Sequence, residues 1–88
     1  MKDELREAMD YYRRIRATET ADFKKFVKDT LIKAVQGGNF AISACATPWP
    51  NITRQIILEW LAANDCQGQF NDYWGSIYLD VVYKGYQS

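Results

Sequence analysis

In residues 3–17, Leu5, Ala8, Met9, Tyr12 and Ile15 recur at three- and four-residue steps, while Arg6, Asp10, Arg13 and Arg14 turn elsewhere. That spacing predicts an amphipathic helix. A second stripe, Phe23, Phe26, Val27, Thr30, Leu31 and Ala34, has Lys24, Lys25, Lys28 and Asp29 off it, and Gly37-Gly38 offers a C-terminal stop. Helical structure is therefore expected over 2–36. Thr18-Glu19-Thr20 can divide it in two with Thr20 as N-cap. Tyr12, Ile15, Glu19 and Phe23 also continue one face, so one long bent helix is the alternative.

Residues 39–46 change period. Asn39 to Cys45 alternates large apolar with small residues, which predicts a strand whose Phe40 and Ile42 face the helices. Thr47-Pro48-Trp49-Pro50 ends it in a stiff loop, because each proline removes a ladder donor and restricts the residue before it. Asn51 is positioned to cap a helix over 51–64 carrying Ile52, Ile56, Ile57, Trp60 and Leu61 on one face. A hairpin over 66–83 follows, with Cys66 to Phe70 as a short strand and Asn71 to Gly75 as its turn. Ser76 to Tyr83 is its longer strand, with Ile77, Leu79, Val81 and Tyr83 on one face. Residues 84–88 should be loose. The expectation is an α+β domain of order α-α-β-α-β-β, with a three-stranded, mostly antiparallel sheet covered by helices on one face. The last strand is placed centrally, and Phe40, Trp60, Leu79 and Val81 are expected in the core.

The runs Leu31-Ile32-Lys33-Ala34-Val35-Gln36-Gly37-Gly38, Ile57-Leu58-Glu59-Trp60-Leu61 and Ser76-Ile77-Tyr78-Leu79-Asp80-Val81 give this layout its outline. In architecture it resembles the short α+β proteins encoded by small open reading frames of bacteriophages and other mobile elements. The resemblance implies an accessory role, with a host or phage protein as partner, and transfers no functional residue.

Eighty-eight residues, 48% hydrophobic and 25% charged, fit one folded domain spanning 1–88 and are too apolar for disorder. The longest apolar stretches, such as 40–46, are far short of a membrane span. The charged N-terminus does not read as a secretory signal, so a cytoplasmic location is expected. That also empties the Asn51-Ile52-Thr53 tripeptide of meaning as a glycosylation site. Eleven basic and eleven acidic side chains cancel, which argues against general polyanion binding and gives little protection against self-association.

Candidate chemistry is sparse. With no histidine, the commonest general base and the usual partner of a nucleophilic Ser or Cys are missing. Cys45 and Cys66 suit neither a disulfide framework nor a zinc site and read as small buried thiols. Asp72 and Asp80 pair only if the hairpin brings them together, and Asp72 is more simply a turn former. Neither catalysis nor a cofactor or metal is expected. Nucleic-acid binding through Arg13, Arg14, Arg16, Lys24, Lys25 and Lys28 is the alternative function. The interleaved Glu7, Asp10, Glu19, Asp22 and Asp29 favour an ordinary solvated helix there. Of thirteen aromatics, nine fall from Phe40 onward. Trp49, Tyr73 and Trp74 lie in expected loops, where aromatic anchors with Asp72 as a polar rim suit a protein partner or a homodimer. Trp49 and Trp74 can instead fold back as lids on the core.

Overall fold

The computed structural model describes residues 1–87. α1 spans Lys2–Gln36 without interruption, β1 Ala41–Cys45, α2 Arg54–Ala63, β2 Cys66–Tyr73 and β3 Ser76–Tyr83, and a 3-10 turn covers Gly85–Gln87. It is an α+β fold with two helices and an antiparallel three-stranded sheet of order β1-β3-β2. The expected pair of N-terminal helices is thus one helix, giving α-β-α-β-β. Thr20 does not cap a second helix; its hydroxyl accepts the Thr53 N–H at 3.0 Å, so the side chain is satisfied without a chain break.

α1 ends where the two glycines stand. Gly38 takes φ +83°, and the Asn39 and Gly38 N–H groups donate to the Ala34 and Val35 carbonyls, a Schellman closure that needs a residue tolerant of the left-handed region. Asn39 then accepts the Ala41 N–H through its side chain and launches β1.

The core consists of Phe23 and Val27 of α1, Ile57 and Leu61 of α2, Ala44, Cys66, Leu79 and Val81 of the sheet, and Ala46 beyond β1. Leu79 and Val81 are buried as expected, while Trp60 is only partly buried at its margin. Phe40 lies outside β1 and stacks on Tyr86 with centroids 4.4 Å apart, so residues 84–87 are anchored where a loose tail was expected. Residue 88 lies outside the described residues.

Two other boundaries move. Asn51 does not cap α2, which begins at Arg54 with Thr53 before it. The backbone and side-chain N–H groups of Asn51 instead donate to the Glu19 carboxylate at 3.1 and 2.8 Å. Glu19 is therefore a tertiary ligand of the 47–53 loop. In the hairpin, strand pairing continues through Asn71, Asp72 and Tyr73, and the turn shrinks to Trp74-Gly75.

Candidate interaction surface

Polar bonds fasten one end of the sheet to the middle of α1. Glu19 and Thr20 hold residues 51 and 53, and the Thr47 hydroxyl accepts the Ile77 N–H at 3.0 Å, so the 47–53 loop joins α1 to the turn end of the hairpin. Trp49 sits inside this clamp, with its ring centroid 5.4 Å from that of Phe23 and 5.2 Å from that of Phe26. It is a half-buried packing residue, folded back as a lid on the core and not an exposed anchor. A proline on each side fixes the loop, and the apolar α1 stripe offers the indole more contact than water does.

Trp74 behaves oppositely. It is fully exposed at the hairpin tip, with φ +53° followed by Gly75 at +82°. Two positive φ values in a two-residue loop are the pattern of a type I′ turn, which favours Asn, Asp or Gly and penalises a bulky side chain at the first position. Tyr73, 54% exposed, leans on Tyr78 across the ladder. Asp72 is a strand residue, not a turn former; it pairs with Arg54 at 3.5 Å, whose guanidinium lies 5.2 Å above the Phe70 ring. Asp72, Tyr73 and Trp74 thus stand at the turn end of the hairpin, Asp72 and Tyr73 on opposite faces, while Trp49 belongs to the clamp.

Upstream of the clamp, α1 leaves the body. Leu5, Met9 and Tyr12 are 59%, 45% and 41% exposed, whereas Phe23 and Val27 are fully buried. At 100° per residue all five fall on the same side of the helix, so one apolar stripe is covered at its C-terminal half and bare at its N-terminal half. These bare residues were not among the sequence-nominated sites. Their signal is the phase of Leu5, Met9 and Tyr12, which matches that of Phe23 and Val27 along one 35-residue helix.

The six candidate cations divide. Arg13, Arg16 and Lys24 line one concavity of about 460 Å³ with Thr20, Thr53 and Ile56, while Arg14 borders a different hollow beside Tyr11 and Ile15. Lys25 is exposed and borders neither, while Lys28 is exposed at the edge of a third hollow, between α1 and α2. Arg13 is paired to Asp10 at 3.3 Å, and Lys24 lies 5.9 Å over the Trp60 ring.

The third hollow, of about 530 Å³, runs between the C-terminal half of α1 and α2, walled by Leu31, Val35, Trp60, Leu61, Cys66 and Tyr83. The two cysteines are free. Cys66 is buried, and its thiol donates to the Asn64 carbonyl at 3.3 Å; burial, then the nearby Asp65 charge, push its pKa up. Cys45 points from β1 on the side opposite Ala44 and is only half-buried; hydrogen bonds from the Thr47 side chain and backbone hold its thiol below the ordinary value. Asp80 is bonded to Asn71 at 2.6 Å, and strand alternation sends it to the sheet face opposite Leu79 and Val81. Asp72 shares the face of Cys66 and Phe70, so the two carboxylates form no pair. Among the described residues, no group of His, Cys, Asp and Glu is arranged to hold a metal ion, and no helix is long and apolar enough to cross a membrane.

Comparison with protein families, with curated proteins and with solved structures finds no match for this chain.

Proposed function

We propose that the chain is a non-enzymatic interaction protein that holds a protein partner through the tip of its β2–β3 hairpin, with Trp74 as the anchor and Tyr73 and Asp72 beside it. The observation that carries this reading is the fully exposed indole on a left-handed backbone. An exposed Trp in a position that disfavours it gains nothing for the isolated fold, whereas Trp is the side chain most enriched at interface hot spots. The hairpin presents it on a paired scaffold, which limits the ordering cost of docking. The absence of histidine, the separation of Asp72 from Asp80 and the lone, separately placed thiols support a role without catalysis. In this reading it is a cytoplasmic accessory protein of the phage or mobile-element type.

Affinity capture with wild type and Trp74→Asn tests it, both baits being nuclease-treated. A protein retained by wild type and lost by the variant is expected. Identical captured sets would sink the reading. The convergence of Arg13, Arg16 and Lys24 on one concavity supports a second reading, nucleic-acid binding along α1. It requires retention on DNA at low salt and a steep loss of retention as salt rises.

A further inference from the structure

The N-terminal half of α1 carries an apolar stripe that no described residue covers. We infer that two copies of this chain pair through residues 2–18 of α1, antiparallel, each covering the other's exposed stripe of Leu5, Met9 and Tyr12. This goes beyond the hairpin-tip reading and stands independently of it.

The first argument is surface. A compact protein of 10.2 kDa exposes about 5,300 Å², whereas this chain exposes 6289 Å². The excess, roughly 1,000 Å², is close to the ~800 Å² that each partner contributes to an interface of standard size. It is concentrated where α1 overhangs the body by about 17 residues, or roughly 25 Å.

The second argument is direction. From Glu19 onward the apolar side of α1 is occupied by the chain's own body, through the bonds to Asn51 and Thr53 and the burial of Phe23 and Val27. A helix laid parallel on the bare stripe would drive its own continuation into that body. Laid antiparallel, it carries its body away beyond the far end, and two overhangs of equal length overlap fully. The contact is isologous and closes as a dimer instead of propagating.

Charge supports the same arrangement. Residues 2–10 carry Asp3, Glu4, Glu7 and Asp10 against Lys2 and Arg6, and residues 11–18 carry Arg13, Arg14 and Arg16 with no carboxylate. Antiparallel overlap sets the acidic start of one copy against the basic stretch of the other. A net charge of zero leaves no overall repulsion to oppose association.

The test is size-exclusion chromatography with light scattering over a dilution series of the full chain. Wild type should be a dimer. Leu5→Gln/Met9→Gln changes two exposed residues to helix-compatible ones, so it should keep the far-ultraviolet spectrum of a folded chain while weakening the dimer at least about tenfold. Crosslinking then fixes direction. Under oxidation a mixture of Leu5→Cys and Arg16→Cys, each in a Cys45→Ser background, should form the mixed disulfide, and Leu5→Cys alone should not crosslink to itself. Trp74→Asn should remain dimeric, which keeps failure here separate from failure at the hairpin tip. A monomeric wild type at every concentration, an unweakened Leu5→Gln/Met9→Gln dimer, or a Leu5→Cys chain that crosslinks to itself and not to Arg16→Cys would each overturn the inference.

Discussion

Trp74 and Trp49 show how one residue type takes two roles through local backbone alone. Both stand beside turn-forming residues, and the sequence signal, an aromatic next to Pro or Gly, is the same. Trp49 turns inward because the Phe23 and Phe26 rings lie within stacking range, a contact set by chain return over more than twenty residues and invisible to local pattern. Trp74 has no such neighbour among the described residues, and its φ of +53° carries strain of about 1 kcal/mol. Trp74→Asn, which suits the first position of a type I′ turn, should therefore stabilise the isolated protein by about that amount, as read from urea midpoints. A lower midpoint would mean that the indole contributes packing. The thiols give a second residue-scale expectation. At mildly alkaline pH the thiolate is the reacting species, so Cys45, with its lowered pKa, should alkylate well before Cys66, whose pKa is raised by burial. As pH rises towards the ordinary thiol range, Cys66 ionises in the unfolded chain before it does in the folded one. Its share of stability is thus present below that range and lost above it. Peptide mass analysis of a timed maleimide reaction reads the order directly, and faster labelling at Cys66 would contradict it.

At the scale of elements, helix and strand periods survive folding and connections do not. The stripe through Phe23 and Val27 and the alternation through Ile77, Leu79 and Val81 are legible because burial selects one face of each. The join at Thr18-Glu19-Thr20 is not, because a cap and a mid-helix tertiary ligand need the same side chains. Asn51 misleads for the same reason: an amide that can cap a helix can equally bind a carboxylate from a distant turn. This clamp carries a measurable load. Thr20 is buried within α1 and satisfies the N–H that precedes α2. Thr20→Val keeps the shape but leaves that donor without its partner, and should lower stability by about 1 to 3 kcal/mol. Thr18→Val, at an exposed position of the same helix, should change it little. Equal urea midpoints for the two variants would show that the clamp is incidental to the fold.

The whole molecule is elongated, with extents of 54 × 29 × 17 Å and a radius of gyration of 15.3 Å, where a compact chain of this length gives about 12 Å. Composition could not have announced this, since an exposed apolar stripe and a buried one read identically in sequence and differ only in what faces them. The excess comes from α1, whose overhang holds none of the buried core residues, the first of which is Phe23. The core and the clamp at Glu19 and Thr20 should therefore fold without residues 2–15. A helical segment of about 17 residues that packs on nothing is marginal in water, so its order depends on being covered. Removing residues 2–15 should leave a monomer whose radius of gyration by small-angle scattering falls to about 11 Å. Its urea midpoint should match that of the full chain at high dilution, where the dimer has dissociated. At high protein concentration the full chain should be the more stable of the two, because association stabilises only the folded form. If the truncated chain is already less stable at high dilution, the overhang supports its own body, and the apolar stripe has an intramolecular role.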